Sequence, residues 1–236
     1  MGDMIKIIQE RHSSRGQFDP TRPVPKDKLN KILEAARWTP TAHNMQNYEI
    51  IIIDDKKVIE TIGNIKSMPS EEFIRENFEQ MSMSEEELRK KKTGILGNQF
   101  PPKWRDASKL DEAIKERTPS PLSTTIRGGQ TILLVIYDKR ERAPASEGDV
   151  LGFISLGCLM ENIWLMAQEL GISVHIMSAF SGKETQKQLK KELGIPDHME
   201  IGFACKLGYP ISETKSVRVR RDIESFTHHN KYEKKA

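Results

Sequence analysis

One helix limits what this chain can fold into. Val150 to Leu170 carries Leu151, Phe153, Ile154, Leu156, Leu159, Ile163, Trp164, Leu165 and Met166. At about 3.6 residues per turn, these positions cover most of the helix circumference rather than one stripe. A helix apolar on most faces must be buried on most faces. Gly171 ends it at the position that favours a left-handed residue. The chain has 236 residues, enough for a real core but too few to enclose such a helix on every side. A second subunit is therefore expected to cover one face.

Shorter apolar runs supply a sheet. Tyr48–Ile53 and Thr131–Tyr137 are rich in β-branched residues and read as buried strands, and Ile172–Met177 and Ile201–Leu207 complete the set. Further helices are expected at Met4–Arg11, from Pro23 and Pro25 through Ala36, and through Ile62 under an Asp54 or Asp55 cap. Another runs from a Ser181/Glu184 capping box to Gly194-Ile195-Pro196. From Ile65 to about Arg127 the texture becomes polar, with a Ser84/Glu87 capping box and charge runs that read as solvated helix faces. This stretch is expected to be an insertion or lid. Within it, Phe100 and Trp104 either stack on a substrate or cover a satellite core. A basic extension occupies about 211–236, beginning with Lys215-Ser216-Val217-Arg218-Val219-Arg220-Arg221. It also holds Phe226 and Tyr232, aromatics for which a free tail has little use.

Composition narrows the function classes. The chain is 36% apolar and 30% charged with a net charge of +3, a soluble globular balance with no bias toward nucleic acid. No apolar run is expected to reach membrane-spanning length, and Met1–Glu10 lacks a signal-peptide core. Cys158 and Cys205 sit in apolar stretches and read as buried thiols, so a cytoplasmic protein with no membrane partner is expected. There is no Gly-x-Gly-x-x-Gly after a strand and no P-loop. His228 and His229 lack further ligands at metal spacing, so no metal site is expected. His175 could stand near a bound group, but it reads first as a hydrogen-bonded histidine within a strand.

Three polar constellations remain. Arg11-His12-Ser13-Ser14-Arg15 is either a solvated basic turn or a phosphate site built from charge-assisted bonds. In Thr39-Pro40-Thr41-Ala42-His43-Asn44-Met45-Gln46, the Asn44 and Gln46 amides suit a ring edge of alternating acceptors and donors, though turn formation explains Asn44 equally well. The third is the basic tail. Read in order, these constellations, the long helix ending in Leu-Gly-Ile, the Leu-Gly-Ile-Pro turn and the strand into Leu-Gly-Tyr-Pro resemble the FMN-dependent nitroreductase family. The resemblance spans nearly the whole chain outside the insertion.

That resemblance implies an α+β fold, a mixed and mostly antiparallel sheet flanked by helices, in a single FMN-binding domain dimerised through the long helix. Arg11, His12 and Ser13 would bind the FMN phosphate and ribityl chain. Arg15 would lie at the N1/O2 edge of the ring, the one residue given a catalytic role, stabilising the charge that develops there on reduction. Asn44 and Gln46 would hold the ring edge from the other subunit. Ser178 and Ala179 would make backbone contacts near N5, and Arg218 with Arg220 would return to the phosphate. NAD(P)H and a small-molecule acceptor, a nitroaromatic or quinone, would react in ping-pong order. The chain departs from the usual family pattern at Asn47-Tyr48, Ser155-Leu156-Gly157 and Ser178-Ala179. A reductive dehalogenase or flavin-fragmenting enzyme on the same scaffold, or a non-enzymatic flavin or nucleic-acid binder, stays open as an alternative.

Overall fold

The computed structural model describes residues 3–144, 146–212 and 217–232. The chain divides into two compact units, Met1–Ser67 with Ser120–Thr214 and Met68–Pro119 with Lys215–Ala236.

The first unit is built on four strands, β1 (Tyr48–Ile53), β2 (Thr131–Asp138), β3 (Ser173–Ile176) and β4 (Met199–Gly208). They lie in the order β1-β2-β4-β3, and every neighbouring pair is antiparallel. Six helices of this unit matter below: α1 (Met4–Glu10), α2 (Lys26–Arg37), α3 (Lys56–Gly63), α4 (Ser123–Ile126), α5 (Val150–Glu169) and α6 (Lys183–Leu193). Alternation along β2 divides the core. Ile132, Leu134 and Ile136 pack with Ile62 of α3, Ile126 of α4 and Leu189 of α6. Leu133 and Val135 pack with Ile32 of α2 and Leu159 and Ile163 of α5. The sheet is thus covered on both faces, which is why a run with almost no polar residue is stable there.

The structure corrects several expectations. β1 is an edge strand, paired only through β2, and just Ile53 is buried along it. The apolar run that opens there looks the same in sequence whether central or marginal. α6 starts from Gly182 without a side-chain cap, because the Ser181 hydroxyl donates instead to Ser178 O at 2.7 Å and closes the preceding turn. The polar excursion is narrower than 65–127. Ile65, Leu122 and Ile126 belong to the first unit's core, and Lys66–Ser67 pairs with Ser120–Pro121.

α5 also overturns the reading that no apolar run reaches membrane-spanning length. The span Glu147–Glu169 is long enough and apolar enough, at a mean hydropathy of 1.7, yet only 22% of that window is buried. Its buried residues are Ser155, Leu159, Ile163 and Ala167, a stripe at four-residue spacing turned to the sheet. Val150, Phe153 and Ile154 remain exposed. At the far end, Lys28 Nζ donates to Leu170 O at 2.7 Å, a cation where the helix dipole favours one.

In the second unit, the helix Glu71–Glu76 is capped by Ser70 and the helix Glu85–Lys91 by Ser84, whose reciprocal capping box with Glu87 is complete. Ile74, Leu110 and Ile114 form its small core, joined by Phe78 and Trp104. The Trp104 ring meets Phe73 at 6.5 Å and Phe100 at 6.3 Å, so these aromatics cover the satellite core. Within the same unit Asp222 receives Lys92 Nζ at 2.6 and 2.7 Å, tying the C-terminal segment down. Lys215 and Ser216 of the basic run lie outside the described residues.

Candidate functional site

The Arg11–Arg15 segment is an addition to the free edge of β3. Ser13 forms a parallel bridge with Val174, and Ser14 N donates to Val174 O at 2.9 Å. Ser14 is buried while Arg15 is exposed. Arg15 nevertheless feels enough surrounding protein that burial lowers its pKa. Arg11 turns toward α5. Its Nε stands 3.1 Å from the Glu161 carboxylate, and its guanidinium lies 4.4 Å from the centre of the Trp164 ring. The Trp164 indole N–H donates to His12 O at 3.3 Å, and His12 Nδ1 lies 3.0 Å from Glu10 O.

Behind this segment sits a cluster the sequence reading missed. Lys206 lies opposite His175 in the β3–β4 ladder and is fully buried. Its Nζ donates to Gly16 O at 3.1 Å and Ile126 O at 3.0 Å. Arg127, held in a left-handed conformation, reaches Arg15 O with Nη1 at 3.4 Å. Burial draws Lys206 down to about 8, with Arg127 adding to the shift. Among the described residues, no carboxylate forms a salt bridge with Arg15, Arg127 or Lys206. The signal was available, since a lone lysine in an otherwise apolar strand has to find buried acceptors.

His175 corrects the expectation of a hydrogen-bonded ring. Its Nδ1 is buried without a partner. Burial, then the charges of Lys206, Arg15 and Arg127, pull the imidazole down to about 3. The unfolded chain binds this proton below about 6.5, whereas the folded one waits until about 3. Acid therefore favours unfolding across that window, and stability falls as pH drops through it. His175→Leu should remove this contribution, so urea midpoints of variant and wild type should diverge as pH is lowered from about 7 to about 4. A gap that stays constant with pH would contradict the shift. Asp138, held at about 2 first by its hydrogen bond to Arg140, has a slope of the same sign that both proteins share. Cys205 is inert by comparison, its thiol pushed up to about 12 by burial.

The second constellation is a strained loop. His43, Asn44 and Gln46 have φ of 52°, 55° and 49°, left-handed values that non-glycine residues adopt sparingly and that gather at functional sites. Two polar residues of α5 hold the loop. Ser155 Oγ accepts from Ala42 N at 3.0 Å, and Asn162 Nδ2 donates to Ala35 O at 3.2 Å and Thr39 Oγ1 at 3.1 Å. Gln46 N donates to Thr41 Oγ1 at 3.1 Å. The exposed amides of Gln46 and Asn44 meet each other, Nε2 to Oδ1, at 3.1 Å. Ser155 and Asn162 stand two turns apart on an apolar helix, a spacing that marks one polar line on its surface.

Ser178 and Ala179 open a tight turn after β3. Their carbonyls are engaged, by Ser181 Oγ and by Ser67 Oγ at 3.1 Å. Arg218 and Arg220 belong to the second unit and are exposed, and Arg220 Nη1 donates to Val219 O at 2.8 Å. The first unit thus brings Arg11–Arg15 together with β3, Lys206 and Arg127. Asn44 and Gln46 lie in the loop that α5 holds through Ser155 and Asn162, and the same helix holds Arg11 through Glu161 and Trp164.

A four-stranded antiparallel sheet between helical layers, with an arginine-bearing segment on its edge and one long apolar helix, has the nitroreductase architecture. The nitroreductase family model matches residues 8–209, and the chain belongs to that family. An NADPH-dependent oxidoreductase of Staphylococcus aureus (strain N315) is 22% identical over 233 residues, which cover 98% of this chain and 75% of the relative. An FMN-dependent nitroreductase from Clostridium difficile R20291 has a similar fold, with a TM-score of 0.60 at 18% identity over 97% of this chain and 99% of the other. A nitroreductase with bound FMN from Desulfitobacterium hafniense DCB-2 superposes with a TM-score of 0.57 at 20% identity, over 97% and 99% of the two chains.

Proposed function

We propose that this chain is an FMN-dependent oxidoreductase that works as a homodimer, taking reducing equivalents from NAD(P)H and passing them to a nitroaromatic, quinone or similar acceptor in ping-pong order. The observation that carries this reading is the cluster of Arg15, Arg127 and Lys206, which no carboxylate among the described residues balances, around a buried and unpartnered His175 nitrogen. Such a set fits an anionic, hydrogen-bonding cofactor. The FMN-dependent nitroreductase of Clostridium difficile and the FMN-bound nitroreductase of Desulfitobacterium hafniense, both similar in fold, support the choice of FMN.

Bound FMN would supply the two-electron chemistry between the nicotinamide and the acceptor. The chain's residues bind and orient. Arg11, His12 and Ser13 hold the phosphate and ribityl chain, with Arg11 shared between that phosphate and Glu161. Arg218 and Arg220, exposed and without a salt bridge among the described residues, would be free to add charge at an FMN phosphate. Arg15 supplies fixed positive charge at the N1/O2 edge. Asn44 and Gln46 would present their amides to the ring from the partner subunit, and backbone atoms of Ser178 and Ala179 would contact it near N5. The 68–119 segment is where acceptor preference is encoded.

Purified protein should therefore be yellow, and denaturation should release FMN rather than FAD. One absorbance spectrum, followed by chromatography of the released flavin, checks this. Colourless protein that takes up no added FMN would remove the reading.

A further inference from the structure

A lysine in the middle of a buried strand is costly unless every donor is used. Cys205 and Leu207 on either side of Lys206 belong to the α2/α5 core. Lys206 points the other way, and its ammonium bonds two backbone carbonyls and stands 4.3 Å from the centre of the Phe18 ring. The identity of those carbonyls gives the arrangement its meaning. Gly16 follows Arg15, and Ile126 precedes Arg127. One buried charge thus joins the chain beside both arginines. Two further bonds close the knot, Arg127 Nη1 to Arg15 O at 3.4 Å and Phe18 N to Arg127 O at 2.8 Å.

The glycines after Arg127 are shaped to it. A Cβ on Gly129 would stand 3.1 Å from Lys206 Cβ and Cδ, and one on Gly128, where φ is +77°, would collide with Phe18 O. At Gly128 only bare backbone lets the turn close on the Gly16–Phe18 segment, and at Gly129 a side chain would press on the lysine stem. Ile126 O also accepts from Gly129 N at 3.0 Å. Loss of the lysine would therefore fall chiefly on Gly16 O, next to Arg15.

We propose that Lys206 is a positioning residue for Arg15: its ammonium ties Gly16 O to Ile126 O, and so fixes Arg15 and Arg127 together beside His175. The flavin reading enters only in naming what Arg15 then meets. Burial pulls Lys206 down to about 8, which leaves it charged at neutral pH and suited to charge-assisted bonds.

The test uses Lys206→Met, and Gly129→Ala as a second variant that presses on the lysine stem and on Ile126 O without deleting the ammonium. The first readout is amide hydrogen exchange of the flavin-free protein. Exchange at Phe18 should quicken about tenfold or more in both variants, as expected when a charge-assisted tie is lost, while Leu133 in β2 keeps its protection. Unchanged exchange at Phe18 overturns the proposal. The second readout is a double-mutant cycle on flavin-loaded protein. Lys206→Met should slow flavin reduction about tenfold when Arg15 is present and less than about twofold in an Arg15→Ala background, because the two then act as one unit. Equal factors in both backgrounds overturn it, since a residue that merely stabilises the fold would act additively. If Lys206→Met does not fold, Gly129→Ala carries both measurements. Wild-type protein that takes up no FMN would defeat the functional reading, and the exchange data would still decide the role of Lys206.

Discussion

Glutamate in place of Phe153 or Ile154 is expected to turn a flavin-loaded dimer into a flavin-poor monomer. In one subunit Val150, Phe153 and Ile154 are 57%, 57% and 55% exposed. Helix α1, which packs on α5, adds Met4 and Ile5 at 60% and 59%. Several large apolar side chains exposed on one helix and on the helix packed against it suit an interface better than a free surface. A second copy is the proposed occupant, because α5 then gains the cover its composition demands. An obligate interface resembles a core cut in half, and a buried, unpaired carboxylate in it costs several kcal/mol. Both positions are exposed in the single chain, so the substitutions should leave each subunit folded, with unchanged far-ultraviolet circular dichroism. Val58→Glu, on exposed surface of α3, serves as the control and should stay dimeric. Sedimentation equilibrium combined with flavin absorbance measures both quantities. Wild-type protein sedimenting as a flavin-loaded monomer at micromolar concentration would contradict the expectation.

Much of the fold was legible because its local signals are self-contained. The Asp55 cap accepts from Lys57 N and Val58 N, and the Ser84/Glu87 box forms in both directions, since each depends on residues within one turn. Apart from the Ser181/Glu184 box, lost to a competing bond within the same turn, what failed depends on distant partners. β1 and β2 are both apolar runs, and only pairing decides that β2 is central while β1 lies at the edge. The insertion's limits were misplaced for a similar reason. Ile65, Leu122 and Ile126 are sparse apolar residues in polar surroundings, and their membership in the core comes from α3, α6 and the sheet.

The site divides in the same way. The Arg11–Arg15 and Thr39–Gln46 segments stand out by residue type and order, so sequence found them. It did not find what holds them. Glu161 and Trp164 grip Arg11, Ser155 and Asn162 grip the strained loop, and Lys206 grips Gly16, in each case across many residues of chain. The unpartnered His175 nitrogen could not be read either, because whether a ring is satisfied depends on neighbours that sequence does not specify.

Arg220→Ala and Arg15→Ala should separate binding from electron transfer. Arg220 is exposed, bonds its own chain at Val219 O, and pairs with no carboxylate among the described residues, so its guanidinium can turn to a phosphate. A lost charge-assisted hydrogen bond is worth about 1.5–3 kcal/mol, which corresponds to FMN affinity weaker by roughly ten- to a hundredfold. Because the contact is exposed, the deficit should shrink as salt is raised. Arg15 differs in kind. Its backbone is tied by Arg127 and, one residue on, by Lys206, and its charge is partly desolvated. A cation fixed in that way acts by stabilising negative charge as it develops. Arg15→Ala should therefore lower the potential of bound flavin and slow its reduction by NAD(P)H, with a smaller loss of affinity than Arg220→Ala. Titration with FMN gives the affinities, equilibrium reduction against a reference dye gives the potential, and rapid mixing gives the rate. If both variants lose FMN equally and neither changes the potential of the flavin that remains bound, Arg15 is a binding residue alone and the proposed division between ring edge and phosphate is wrong.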